Sequence, residues 1–199
     1  MIAVLDYGIG NLASAHKALL AVGAPARLVA RPEQAEGASG YVLPGVGAFA
    51  ACAAALEASG LSEVCRTAVA EQRPLLGICV GMQLLFEGSE ESPGARGLGL
   101  LAGSVRRLPA GRRRPQMQWN LAVPTGRSAL LPSPEWFYFV HGYYAAPERE
   151  EDVLAYSEYG VSFASAVGRG ALSATQFHPE KSGRAGLELL ARFARSCEA

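Results

Sequence analysis

The chain has 199 residues, of which half are hydrophobic and 18% are charged, and its formal net charge is zero. This length suits one hydrophobic core, and the composition excludes a disordered chain. The zero net charge argues against a partner such as nucleic acid or an anionic membrane, because proteins that bind them concentrate positive charge on one face. We therefore expect a single folded domain over residues 1–199, with no nucleic acid and no membrane as a partner.

Cysteine usage and the first residues predict the compartment. Cys52, Cys65, Cys79 and Cys197 form no CxxC pair and show no metal-ligand spacing, so neither disulfides nor a metal site is predicted. The opening apolar run is cut by Asp6, unlike a secretory signal, and no segment approaches the roughly 20 apolar residues of a membrane span. The sequence thus predicts a cytoplasmic protein with reduced thiols that needs no metal and no cofactor.

Strands and helices alternate through the first half of the chain. Short apolar runs predict strands at residues 2–5, 26–30, 40–43 and 75–78. The segments between them predict helices at residues 12–22, 48–58 and 61–71. Asn11 is placed to cap the first helix and Gly23 to end it, while Pro44 is predicted to stop the third strand. This alternation predicts an α/β fold, with an open and mostly parallel sheet flanked by helices.

The second half of the chain predicts mainly β-structure. Short β-like runs separated by turn residues occur at residues 105–108, 136–140, 161–167 and 172–176. A final helix is predicted from about Ser182 to Ser196, with Leu187, Leu190 and Phe193 on one face. The complete chain is therefore expected to form one mixed sheet whose second half is antiparallel.

The strongest local signal lies at residues 75–83. A predicted buried strand runs into Gly77-x-Cys79-x-Gly81 and then into a helix that begins near Met82. This is the layout of a nucleophile elbow, with cysteine where other hydrolases carry serine. Small neighbours are needed because the turn forces a strained backbone at its centre. The thiol is then presented at a helix amino terminus, whose dipole favours the thiolate, so we predict that Cys79 is a nucleophile rather than a structural cysteine.

A thiolate nucleophile requires a base, and the chain has three histidines. His16 falls in the first predicted helix as a surface or packing residue, and His141 is either a core or a site-lining residue. His178 ends a β-like run just before Pro179, and Glu180 follows two positions later. Residues two apart on a strand project to the same side, so Glu180 is predicted to orient the imidazole of His178 and stabilise its charged form.

Acyl transfer also needs donors for an oxyanion. The loop Pro44-Gly45-Val-Gly-Ala-Phe49 follows the third predicted strand and opens a helix, so its N–H groups are predicted to point outward unpaired. Loops at the carboxyl ends of parallel strands meet at one edge of a sheet. The amide of Val46 or Gly47 and that of Val80 are therefore predicted to form a two-donor oxyanion hole. The alternative is a glycine turn that only caps the helix.

These segments together resemble class I glutamine amidotransferases. Within that family the chain is similar to the glutaminase subunits of imidazole glycerol phosphate synthases, and the matching segments are residues 6–11, 44–49, 77–83, 139–144 and 176–182. The resemblance implies a flavodoxin-like fold and hydrolysis of glutamine to glutamate and ammonia through a Cys-His-Glu triad. It also implies a heterodimer with a (β/α)8-barrel cyclase subunit, which uses the ammonia to form imidazole glycerol phosphate and AICAR in histidine biosynthesis.

The resemblance implies further residue roles. The substrate's α-amino and carboxylate groups would be held by Gln83 and Glu91, with help from the backbone of Gly142 and Tyr143. Five positions would face the cyclase subunit, namely Asn11, Met117, Trp119, Tyr138 and Lys181. The chain departs from the family in its segment Pro115-Gln-Met-Gln-Trp-Asn120, where the family usually has Pro-His-Met-Gly-Trp-Asn, and at Gly142, where serine is frequent.

Three alternatives stay open at this point. Gly8-Ile-Gly10-Asn-Leu-Ala13 after the first strand fits a short dinucleotide fingerprint, which would indicate a nicotinamide-binding oxidoreductase. That alternative leaves the elbow and the His-Pro-Glu segment unexplained, and no acid ends the second strand. A non-catalytic subunit with the same fold is a second alternative, although the triad is intact. A glutaminase that serves a different synthase is the third.

Overall fold

The computed structural model describes residues 1–198. Its strands are β1 (Ile2–Leu5), β2 (Ala26–Val29), β3 (Gly40–Gly45), β4 (Leu75–Cys79), β5 (Gly103–Arg107), β6 (Gln116–Pro124), β7 (Glu135–His141), β8 (Tyr143–Pro147), β9 (Val153–Glu158), β10 (Ser162–Arg169) and β11 (Leu172–Thr175). Its α-helices are α1 (Leu12–Ala21), α2 (Phe49–Ala58), α3 (Leu61–Ala70), α4 (Val80–Gln83) and α5 (Gly183–Ser196). Short 3-10 turns occupy Pro32–Ala35, Glu150–Asp152 and Pro179–Lys181.

The predicted mixed sheet is confirmed. Nine strands form the main sheet in the order β2-β1-β3-β4-β11-β10-β9-β6-β7. The pairs from β2 to β11 are parallel, and those from β11 to β7 are antiparallel. Helices pack in two pairs, α1 with α5 and α2 with α3. The parallel strands β3 and β4 are thus central, and their carboxyl ends lie side by side.

The third strand differs from its prediction, because it continues through Pro44 to Gly45. The N–H of Tyr41 donates to the Pro74 carbonyl beside β4. Backbone N–H groups of successive residues point to alternate sides of a strand, so the N–H groups of the even-numbered residues of β3 are directed toward β1. Pairing between β3 and β1 ends at Val42, and the ring nitrogen of Pro44 therefore replaces no sheet hydrogen bond. The extra residues bring Gly45 opposite Cys79.

The last helix also differs in one detail. Leu190 and Phe193 are buried as predicted, and Leu189 lies with them, but Leu187 is 37% exposed. Each residue advances about 100° around a helix, so Leu187 lies roughly 120° from Phe193, at the edge of the buried face. The sequence prediction also missed β6, β8 and β9, and it missed the separate two-stranded sheet that β5 forms with β8. Over residues 1–198, no helix combines the length and the apolar character that crossing a membrane requires.

Candidate active site

The turn between β4 and α4 has the strained geometry of a nucleophile elbow. Cys79 ends β4 with φ 55° and ψ −110°, a backbone conformation that non-glycine residues rarely adopt. A side chain at Gly81 would collide with the carbonyl oxygen of Leu43, and a Cβ at Gly77 would lie 2.9 Å from the Gly81 carbonyl oxygen. The two glycines therefore permit the close approach of strands and turn that holds Cys79 in place.

Helix α4 is shorter than the sequence led us to expect. It begins at Val80 instead of near Met82 and spans a single turn. A helix dipole is the sum of aligned peptide units, so one turn favours a thiolate less than a full helix does. A neighbouring basic group therefore matters more at this position, and His178 lines the same cavity as Cys79.

His178 and Glu180 form a buried pair. The Nδ1–H of His178 donates to Oε1 of Glu180 at 2.8 Å, and both side chains are 1% exposed. The local structure that forms this pair differs from the predicted strand. β11 ends at Thr175, and Glu180 lies in the 3-10 turn Pro179–Lys181. Turn geometry, rather than strand alternation, brings the carboxylate back to the ring. The side-chain Nδ2 of Asn11 donates to the same oxygen at 3.1 Å.

The surroundings of His178 favour its protonated form. Burial alone lowers the pKa of this histidine, but the nearby Cys79 sulfur and the Glu180 carboxylate outweigh it and raise the pKa from 6.5 to about 10. An imidazolium between a thiolate and a carboxylate is the arrangement that keeps a cysteine nucleophile ionised at neutral pH. The Cys79 sulfur also lies 3.6 Å from the amide nitrogen of Gln176, which can donate to it.

The backbone around His178 is anchored to β7. Its N–H donates to the carbonyl of Tyr138 at 3.0 Å, and its own carbonyl accepts a hydrogen bond of 2.6 Å from the hydroxyl of Ser182. That hydroxyl oxygen accepts the N–H of Tyr138 at 3.0 Å. The backbone of His178 is therefore fixed to β7, and a sequence alone carries no signal for Ser182 in this role.

A cavity of about 270 Å³ opens at Cys79 and His178. Most residues predicted to contact the substrate line it, namely Val46, Gly47, Val80, Gln83, Glu91, Gly142 and Tyr143. Gly45 lies behind the lining, where a Cβ would stand 2.6 Å from the N–H nitrogen of Gly81, so its role is to admit the turn. A space of this size fits a free amino acid better than a dinucleotide.

Polar side chains in the cavity wall form hydrogen bonds with neighbouring protein groups. The Nε2 of Gln83 donates to the Tyr143 carbonyl and to Oε1 of Gln176, both at 3.1 Å. Oε2 of Glu91 accepts the N–H of Phe49 at 2.7 Å. These bonds fix the two side chains that were predicted to hold substrate. Gln176 was not predicted, because a glutamine at the end of a β-like run carries no separate signal.

A hydrogen bond from a buried cysteine fixes the glycine loop after β3. The Cys52 thiol donates to the carbonyl of Val46 at 3.2 Å, and burial raises the pKa of Cys52, so the sulfur keeps its proton. In a trans peptide the next N–H points opposite to the carbonyl, so the N–H of Gly47 faces away from Cys52. Gly47 has φ 89°, which suits this turn. The predicted unpaired amides are only partly found, because the N–H of Phe49 is bonded to Glu91.

The residues predicted to face a partner lie in different settings. Met117 and Trp119 on β6 are 63% and 49% exposed, and Lys181 is exposed at the rim of the cavity. Tyr138 on β7 is half-buried and meets the Trp119 ring edge-on at 6.3 Å. Asn11 is half-buried, and its side chain donates to Glu180 and makes no capping hydrogen bond to α1, unlike the predicted cap.

Comparison with known families identifies the class. Residues 3–197 match the family described as glutamine amidotransferase class-I. The chain therefore belongs to the class-I glutamine amidotransferase family, as its sequence motifs predicted. This membership removes the basis for the nicotinamide alternative.

Individual relatives show a more specific similarity within this family. Imidazole glycerol phosphate synthase subunit HisH of Moorella thermoacetica is 48% identical over 195 residues, covering 96% of this chain and 93% of the relative. The HisH subunit of Symbiobacterium thermophilum is 49% identical (98% and 93% covered), and that of Methanothermobacter thermautotrophicus is 46% identical (97% of each). The predicted resemblance to these glutaminase subunits is confirmed.

Solved structures agree on the fold. A crystal structure of a glutamine amidotransferase matches with a TM-score of 0.80 at 24% identity, covering 100% of this chain and 99% of that one. The structure of PurLQS from Thermotoga maritima matches with a TM-score of 0.75 at 18% identity, covering 99% and 96%. At these identities the matches concern the fold alone.

Proposed function

We propose that the chain is the glutaminase subunit of an imidazole glycerol phosphate synthase. It hydrolyses glutamine to glutamate and ammonia and passes the ammonia to a (β/α)8-barrel cyclase subunit, which forms imidazole glycerol phosphate and AICAR in histidine biosynthesis. The observation that carries the proposal is a strained Cys79 in the same cavity as the buried His178–Glu180 pair. All four cysteines are free, and a nucleophilic thiol needs reducing surroundings, which supports a cytoplasmic location.

In the first half of the reaction, the Cys79 thiolate attacks the side-chain amide carbon of glutamine. The new C–S bond forms as the carbonyl electrons move to oxygen, and the N–H groups of Gly47 and Val80 stabilise that oxyanion. The protonated Nε2 of His178 then donates its proton to the leaving nitrogen. The C–N bond breaks, ammonia departs, and a thioester remains on Cys79.

In the second half, the now neutral His178 takes a proton from water. The hydroxide adds to the thioester carbon, a second oxyanion forms in the same hole, and the C–S bond breaks to release glutamate. Glu180 accepts the Nδ1–H of His178 and stabilises the imidazolium at both stages. The Cys79 thiolate and protonated His178 are thereby restored.

Substrate is held by groups that the fold has already oriented. Both amide hydrogens of Gln83 are used by Tyr143 and Gln176, so its Oε1 is the atom left for a substrate ammonium. Oε1 of Glu91 is left for the same group, since Oε2 is bonded to Phe49. The backbone at Gly142 closes the pocket beside them. A carboxylate and an amide oxygen together recognise the α-ammonium of an amino acid.

The oxyanion loop gives a first prediction. Cys52→Ala removes the thiol that holds the Val46 carbonyl, so the Gly47 N–H loses its fixed direction. We expect kcat for glutamine hydrolysis to fall about tenfold, less than the 10²–10³-fold that loss of a whole donor costs. Cys52→Ser is the matched control, because its hydroxyl can donate to the same carbonyl. Equal activity in the alanine and serine variants and the unchanged chain would contradict this role.

The exposed side of the β6–β7 hairpin is the proposed docking surface for the cyclase subunit. Met117 and Trp119 on β6 lie beside Trp136 on β7, and all three are about half exposed or more. Aromatic side chains concentrated on one face are typical of interface centres. The surface adjoins the catalytic cavity, because Tyr138 on the same hairpin carries the backbone of His178.

A second prediction tests this surface. Trp119→Ala should weaken binding of the barrel subunit by about 30-fold or more, as expected for an aromatic interface anchor. Isothermal titration of the barrel subunit into the chain measures the change. Leu20→Ala is the matched control, because Leu20 is 50% exposed but lies on α1, outside the hairpin. An unchanged dissociation constant for Trp119→Ala would move the docking surface elsewhere.

The experiment that tests the proposed function is glutamate release from glutamine. It is measured for the chain alone, with the barrel subunit, and with the barrel subunit and its nucleotide ligand. Stimulation by the barrel supports the proposal. Full activity that does not depend on the barrel subunit would support a glutaminase but indicate that it serves a different synthase. Absence of hydrolysis under every condition would refute the proposed function.

A further inference from the structure

The β6–β7 hairpin borders both the catalytic cavity and the surface proposed to meet the partner. Met117 and Trp119 lie on its outer face, whereas Gln116 and His141 are buried on its inner face. Gln116 and His141 are paired directly across the two strands. Pro115 and His141 line the cavity that contains Cys79, and Gln116 lies directly behind this lining, next to Pro115 in the chain and opposite His141 in the sheet.

Gln116 is an unusual residue for such a position. It is 0% exposed, and both its side-chain nitrogen and its side-chain oxygen lack a hydrogen-bond partner among the described residues. A buried amide left unpaired costs free energy, and a buried polar group that the protein itself does not pair usually binds ordered water or has a functional role. The fold therefore retains a donor and an acceptor that its own packing does not use.

His141 adds a second acceptor. Its Nδ1–H donates to the Tyr143 carbonyl at 2.8 Å, so the opposite nitrogen, Nε2, carries the lone pair. That Nε2 is buried and, within residues 1–198, has no partner. The pKa of His141 is lowered from 6.5 to about 4, because burial and the charge of His178 outweigh the opposing effect of the Tyr143 hydrogen bond. His141 is thus neutral and accepts hydrogen bonds without giving up a proton.

We propose that Gln116 and His141 together bind the ammonia released at Cys79 on its way to the partner surface. Neutral ammonia has three N–H donors and one lone pair, which match Nε2 of His141, Oε1 of Gln116 and the Gln116 amide N–H. The rings of Phe139 and Phe163 lie 5.7 Å and 5.2 Å from the His141 ring, and these apolar neighbours disfavour ammonium. The proposal rests on the proposed function, since it needs glutamine hydrolysis and an ammonia-consuming partner.

The test uses the complete complex with the barrel subunit at saturating concentration. The quantity measured is imidazole glycerol phosphate formed per glutamate released, which is near unity if ammonia does not escape. Gln116→Leu should lower this ratio by about twofold to tenfold, the range expected when one hydrogen bond to the passing molecule is lost. Synthesis driven by added ammonium chloride should not fall, because that ammonia need not pass Cys79.

Two variants serve as controls. Gln118→Leu makes the same chemical change at an exposed position two residues along β6, and its ratio should match that of the unchanged protein. Gln116→His keeps a polar group at the buried position and should recover most of the ratio. If Gln116→Leu does not fold, His141→Asn carries the test, because asparagine can still donate to Tyr143 but lacks the Nε2 acceptor.

An unchanged ratio in the variant tested would overturn the proposal and leave the site to water or to packing alone. A ratio lowered equally by Gln118→Leu would also overturn it, since the cause would then be a loosened hairpin. Failure of the proposed function looks different: the unchanged protein would release no glutamate, or would release it without regard to the barrel subunit.

Discussion

Replacing Cys79 with alanine should remove glutamine hydrolysis almost completely, lowering kcat on the order of 10⁴- to 10⁶-fold. The expected loss is large because the variant retains the oxyanion donors and the His178–Glu180 pair but has no atom that can form the thioester. Glutamate release with the barrel subunit and its ligand present is the measurement. Retained hydrolysis in this variant would refute covalent catalysis at Cys79.

Two controls accompany this experiment. Cys65→Ala removes a buried thiol outside the cavity, where burial raises the pKa to about 12 and makes the sulfur unreactive, so hydrolysis should be retained. Synthesis from added ammonium chloride should also survive in Cys79→Ala, because it bypasses glutamine. A parallel loss of ammonium-driven synthesis would indicate that the substitution had disturbed the complex instead of the chemistry.

Glu180→Gln should give the second-largest effect, a fall in kcat on the order of 10²–10⁴-fold. The carboxylate accepts the Nδ1–H of His178 at 2.8 Å and stabilises the charged imidazole. With a neutral amide in its place, the pKa of His178 falls from about 10 toward lower values. His178 then loses its proton at lower pH, and the Cys79 thiolate loses its counter-charge over the same range.

The pH profile of kcat/KM distinguishes this cause from a folding defect. Because the pKa of His178 decreases, the alkaline limb of the profile should move to lower pH, within the interval from 10 down to 6.5. Asn11→Ala is the matched control, since it removes a neutral donor to the same Glu180 oxygen and should shift the limb far less. A profile in Glu180→Gln that keeps its shape and position would argue against this role of the carboxylate.

Much of the fold was predictable because the first half of the chain has strong local patterns. Fully buried parallel strands such as β1 and β4 are continuous apolar runs, and α1 ends two residues before Gly23. The antiparallel second half was less predictable. β6 contains exposed Met117 and Trp119 next to a buried Gln116, which is the reverse of the usual polar-out pattern. Its pairing with β7 depends on distant contacts rather than on its own periodicity.

The sequence by itself determined the chemistry. Gly77-x-Cys79-x-Gly81 is recognisable as a strained turn by its small residues around a central cysteine, and His178-Pro-Glu180 is close enough in the chain to form a pair locally. Only the tertiary structure decided which other side chains reach these groups. Asn11 meets Glu180 across 169 positions, Gln176 meets Cys79 across 97, and no local pattern encodes such separations. The buried Gln116 also became visible only in the fold, because burial and hydrogen-bond pairing are set by the packing of strands that are far apart in the sequence.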